Sequence, residues 1–98
     1  MIRIFGIPYT VRADFTYEDI TSQGTVTVSD QVIRLAKDIG KEAQETTLLH
    51  EILEVVVARL GLKVEHEEIK GIEVALYDTL TANGVSLQPL MDKIDRRE

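Results

Sequence analysis

Residues 46–61 read TTLLHEILEVVVARLG. At roughly 100° per residue, Leu49, Leu53, Val56, Val57 and Leu60 fall on one apolar arc, and Leu48, Ile52 and Val55 on a second about 115° away. Extended back to Ala43 after Gly40, the pattern predicts a central helix that stops at Gly61 and is buried around most of its circumference. The remaining side carries Ala43, Thr47, His50, Glu51, Glu54 and Ala58, where an ordinary surface helix shows Lys and Arg. Glu45 and Arg59 interrupt the arcs only near the helix ends. Buried charge without a partner is very costly, so an imidazole and two carboxylates in one stripe call for a metal ion or a water-filled pocket.

Upstream, Ile2, Ile4, Ile7, Tyr9 and Val11 alternate with period two around Gly6-Ile7-Pro8, which predicts two strand pieces joined at a bend or bulge. A mostly polar connecting loop follows over 15–24. Strand-like residues return over 25–28 and 32–35, separated by Ser29-Asp30-Gln31, and predict a hairpin. Downstream, a second helix starts near Glu65 and carries Ile69, Ile72, Leu76 and Leu80 before Asn83-Gly84 ends it. A short third helix is expected over 87–94 and a frayed tail over 95–98. The fold class is therefore α+β, a single domain over 1–98: a small antiparallel sheet from the N-terminal strands, followed by two or three helices.

Ninety-eight residues, 44% of them hydrophobic, suffice for one core. No stretch approaches the roughly 20 apolar residues of a membrane span, and Met1-Ile2-Arg3-Ile4 lacks the features of a signal peptide, so a cytoplasmic protein with no membrane partner is expected. Without cysteine, disulfides, thiolate nucleophiles and Cys-type zinc sites are excluded, and a metal would need His, Asp or Glu. A net charge of −6 has the wrong sign for binding nucleic acid. The acidic cluster over 65–68 is too short to imitate a phosphate backbone.

His50 and Glu54 stand at i and i+4, one turn apart, with Glu51 rotated beside them: the spacing of a two-ligand metal clamp with an adjacent base. In charged helices the same string most often just pairs its His and Glu with one another and with solvent. On the second helix, Glu67 lies about 180° from the centre of the apolar face, while Glu68 and Glu73 flank it at roughly 80° and 60°. Glu65 sits at the helix start. His66, about 80° from the core face, reads as a surface histidine and becomes an alternative ligand only if the inter-helix turn folds inward. Tyr9 and Tyr77 read as core or boundary aromatics, and Asp14, Asp19 and Asp30 as turn and loop residues.

The run Thr47-Leu48-Leu49-His50-Glu51-Ile52-Leu53, after a strand hairpin and before a helix with an acidic start, resembles the zincin metallopeptidases of His-Glu-x-x-His type. Within them it is most similar to the small gluzincin-like proteins of phages and prophages, related in pattern to the ImmA/IrrE peptidases, over roughly residues 24–82. The resemblance implies zinc or another divalent metal, a protein or peptide as substrate or partner, His50 as first ligand and Glu51 as general base. It places Glu54 where the family has its second His. The family's spacing of a Glu before two large apolar residues matches Glu68, Ile72 and Leu76, making Glu68 the third ligand, with Glu73 next in rank. A carboxylate at 54 adds negative charge, predicting a weaker Lewis acid, a shift toward harder ions and a weakened or inactive peptidase. The competing reading is a non-enzymatic protein-interaction module on the same fold.

Overall fold

Strand β1 (Ile2–Ile4) and strand β2 (Ile7–Phe15) open the fold of the computed structural model, which describes residues 1–17 and 23–96. Along β2 the odd positions Tyr9, Val11, Ala13 and Phe15 are buried and the even ones half-exposed, so one face of the sheet looks into the core. Phe5 (φ 53°) and Gly6 (φ 74°) both lie in the left-handed region, and Ile4 pairs with Ile7. The expected bend is thus a two-residue reversal of the type that matches strand twist, one step upstream of Ile7. It makes β1 and β2 an antiparallel pair.

Strands β3 (Gly24–Thr27) and β4 (Val32–Ala36) form the expected hairpin around a turn in which the Gln31 amide donates to the Val28 carbonyl at 3.2 Å. The sheet as a whole is mixed, not purely antiparallel: its order is β1-β2-β4-β3, and β2 runs parallel to β4 from Thr10 opposite Val32 to Phe15 opposite Ala36. Burial explains the order. Ile33 and Leu35 are wholly buried and take the interior position, whereas β3 alternates between half-buried and exposed and suits an edge. Adjacency in sequence could not anticipate that β4 would insert between β2 and β3.

Helix α1 (Lys41–Leu60) lies against the core face, burying Gln44, Thr47, Leu48, Leu49, Glu51 and Val55. It ends at Gly61 (φ 64°), where the Leu62 amide reaches back to the Val57 carbonyl at 3.0 Å, a left-handed stop for which glycine carries no Cβ penalty. Buried Gln44 has both ends of its amide satisfied: it donates to the Ala36 carbonyl at 2.9 Å and accepts from Arg96 Nη1 at 3.0 Å. That residue belongs to β5 (Asp95–Arg96), which pairs in parallel with Arg12 and Ala13. The expected frayed tail is therefore strand at 95–96, while 97–98, like 18–22 of the expected polar loop, lie outside the described residues.

Helix α2 (His66–Ala82) buries only Ile69 of its expected apolar face. Ile72 and Leu76 remain 49% and 36% exposed, and the inward side is instead formed by Ile69, Glu73, Tyr77 and Leu80. The helix is turned by roughly 50° from the orientation its hydrophobicity alone indicates. A one-turn helix α3 (Gln88–Met91) then seats Met91 in the core, with Ile94 just beyond it. Among the described residues, no helix is long and apolar enough to cross a membrane.

Candidate metal centre

Helix α1 presents His50, Glu51 and Glu54 toward α2, and the short 61–65 connection brings α2 back alongside so that His66 and Glu73, two turns apart on one stripe, face them. His50 Nε2 lies 3.7 Å from Glu54 Oε1, and His66 Nδ1 lies 3.7 Å from the same oxygen. The two imidazoles meet edge to face with centroids 4.8 Å apart. One ligand atom from each of His50, Glu54 and His66 lies within 4.8 Å of the other two, so this group could hold a metal ion. With metal–nitrogen bonds of 2.0–2.1 Å, ligand atoms around a tetrahedral ion stand about 3.4 Å apart. The 3.7 Å separations are close to that spacing and too long for hydrogen bonds.

Beside this group opens a groove of about 500 Å³. Thr46, Thr47, His50 and Glu51 of α1 form one wall, His66, Lys70 and Glu73 of α2 another, and Tyr17, Gln23 and Gly24 the sheet-side rim. Glu51 is 6% exposed. Burial, and after it the nearby carboxylates of Glu54 and Glu73, push its pKa up from 4.5 to about 7. A carboxyl group of that pKa exchanges its proton readily near neutral pH, as a general base must.

The structure therefore brings together His50, Glu51 and Glu54, but not Glu68. Glu68 is exposed and its carboxylate accepts the Glu65 amide at 2.9 Å, while the Glu65 side chain accepts from the Glu68 amide: a capping box at the start of α2. Glu73, next in rank in the sequence reading, reaches the site instead, its Oε1 at 2.8 Å from His50 Nδ1 with both side chains 12% exposed. The turn does fold inward, and His66, expected at the surface, joins the cluster although its side chain is 71% exposed. Two signals pointed this way: the Glu65/Glu68 spacing of a capping box, and the seven-residue interval from His66 to Glu73. Tyr9 is wholly buried, its hydroxyl accepting from Arg59 Nε at 3.0 Å, and Tyr77 donates to Glu45 at 3.1 Å.

Comparisons with protein-family models, curated proteins and solved structures gave no match.

The floor of the groove depends on a close approach of β3 to α1. A Cβ on Gly24 would stand 2.5 Å from Thr47 Cγ2 and 3.3 Å from the Arg34 carbonyl, and the Thr47 hydroxyl bonds Gln23 Oε1 at 3.1 Å. Turning the Thr47 methyl aside would swing its hydroxyl away from Gln23, so relief of the clash would break that bond. Gly24→Ala is expected to destabilise the protein by about 1–3 kcal/mol, measured by urea denaturation, through parting β3 from α1.

Proposed function

We propose that the protein is a metal-dependent hydrolase of metallopeptidase type, in which His50, Glu54 and His66 hold a divalent ion and Glu51 is the general base. The observation that carries the reading is the convergence of those three ligands beside a buried carboxyl group whose pKa lies near neutrality. With His66 in place of Glu68, the donor set has two imidazoles and one carboxylate. That is the donor count of many catalytic zinc sites, and it offsets the loss of the second motif histidine at position 54. When bound, zinc supplies Lewis acidity to a carbonyl and lowers the pKa of water. Glu51 takes up a proton in the groove and returns it to a leaving group, the double task that a pKa of about 7 suits. The likeness of residues 47–53 to the gluzincin-like proteins of phages supports the same reaction class, on a protein or peptide and in a cytoplasmic setting.

A second reading, a protein-interaction module, is favoured by one observation: Ile72 and Leu76, one turn apart on α2, are left substantially exposed. Incubating the zinc-loaded protein with an unstructured protein separates the two. Hydrolysis by the wild type, abolished by a chelator and restored by zinc, supports the hydrolase, whereas absence of cleavage despite stoichiometric zinc favours the module. In the same series, His66→Ala is expected to lower zinc affinity roughly a hundredfold or more, beyond the 10–100-fold typical of residues that only support a ligand. An unchanged titration would remove His66 from the ligand set.

A further inference from the structure

We infer that Glu73 is a positioning residue that fixes the His50 ring and its tautomer, and is not itself a ligand. The inference rests on the metal reading above and deepens it. Distances carry the argument. Glu73 Oε1 stands 2.8 Å from His50 Nδ1, a hydrogen-bond length, whereas the atoms of the proposed ligand group stand 3.7 Å from Glu54 Oε1. The two nitrogens of His50 are therefore divided between two tasks. Nδ1 is turned toward Glu73, and Nε2 toward Glu54.

A carboxylate can only accept from a ring nitrogen, so the neutral His50 ring carries its proton on Nδ1 and leaves the Nε2 lone pair bare. Free in water, neutral imidazole side chains prefer the opposite tautomer, with the proton on Nε2, which cannot ligate through that atom. Glu73 thus reverses the intrinsic preference, holds the ring plane and makes Nε2 the better donor. Both partners are 12% exposed, so water competes little for the bond. The placement of Glu73 also explains why α2 presents a carboxylate inward at the cost of leaving Ile72 and Leu76 in solvent.

The test uses the full chain with Glu73→Gln and Glu73→Leu, read in two ways. The first is the ¹⁵N spectrum of His50 in metal-free protein at a pH where the ring is neutral. The wild type is expected to show the Nδ1–H form, Glu73→Gln to keep it because the amide oxygen still accepts, and Glu73→Leu to revert to the Nε2–H form. The second is calorimetric titration with zinc alone. Glu73→Leu is expected to weaken binding by about 10–100-fold, with Glu73→Gln restoring most of the loss. A ligand role predicts otherwise: Gln, a poor donor, would lose as much affinity as Leu, and that result overturns the inference. An Nε2–H tautomer in the wild type, or one unchanged in Glu73→Leu, overturns it as well. Should the wild type take up no zinc, the metal reading fails by itself, and the tautomer series still upholds or overturns the role of Glu73.

Discussion

Replacing Glu51 by Gln is expected to stop hydrolysis while making the metal-free protein more stable at pH 8. Both effects come from one carboxyl group. In the folded chain its pKa is raised from 4.5 to about 7, first by burial and then by Glu54 and Glu73. The fold therefore favours the protonated form. The stability associated with that proton is fully present below about pH 4.5 and is lost as pH rises through about 7, where the folded state must hold a buried carboxylate that the unfolded chain solvates. The gap corresponds to about 3 kcal/mol at the most. Gln keeps the shape without the charge, so Glu51→Gln is expected to gain about 2 kcal/mol at pH 8 and almost nothing at pH 4, measured by urea denaturation in the presence of a chelator. The amide cannot accept a proton, so turnover is lost while zinc affinity stays nearly unchanged. Equal stabilisation at the two pH values would show that Glu51 ionises as an ordinary surface carboxyl, and unimpaired turnover would remove it as the base.

A buried carboxyl group held at a cost in stability is a feature that functional sites share with structural networks, and its place on α1 is legible in the sequence. Periodicity predicts α1 from Ala43 to its stop at Gly61, against an observed Lys41–Leu60, and the polar stripe on it singles out His50, Glu51 and Glu54. Those residues were legible because helical spacing alone puts them on one side. The strands were legible for the same reason: alternation depends only on neighbours along the chain. What stayed hidden was every feature decided by elements meeting in space. Gly24–Thr27 and Val32–Ala36 read as a hairpin, but no local pattern tells that Val32–Ala36 would lie beside Ile7–Phe15 in parallel, or that Asp95 and Arg96 would return to pair with Arg12 and Ala13.

The far half of the site shows the same division. A hydrophobic wheel assumes that the most apolar side of α2 faces inward, yet Ile72 and Leu76 are exposed while Glu73 and Tyr77 turn toward α1. Polar contacts across the helix pair account for the rotation. The 2.8 Å bond to His50 draws Glu73 inward and the 3.1 Å bond to Glu45 draws Tyr77 the same way, whereas the exposed capping box occupies Glu68 at the helix start. Pairing Glu73 with His50, each 12% exposed, outweighed the burial of two aliphatic side chains. A wheel scored only for hydrophobicity contains no such term: it sets Glu73 and Glu68 at roughly 60° and 80° from the face, and it is the resemblance that puts Glu68 first. His66 is at the surface as its position on the wheel indicates, 71% exposed, yet still within 3.7 Å of Glu54.

Position 54 offers the sharpest test of the ligand set, through the series wild type, Glu54→Gln and Glu54→His titrated with zinc and with manganese. Glu54 Oε1 is the atom that both histidines approach, at 3.7 Å each, so its loss opens the set at its centre. Gln removes the charge and leaves a poor donor, and zinc affinity is expected to fall roughly a hundredfold or more, a larger effect than outer residues produce. Glu54→His completes three imidazoles, the donor set that suits zinc over harder ions, so zinc binding is expected to rise while manganese binding falls. The same substitution takes away one of the carboxylates that raise the Glu51 pKa, so the pH-dependent gain of Glu51→Gln is expected to shrink in the Glu54→His background. Ion affinity and base ionisation, read by calorimetry and by denaturation, thus report on one oxygen atom independently. Identical zinc and manganese affinities across all three chains would place the ion elsewhere and dissolve the hydrolase reading with it.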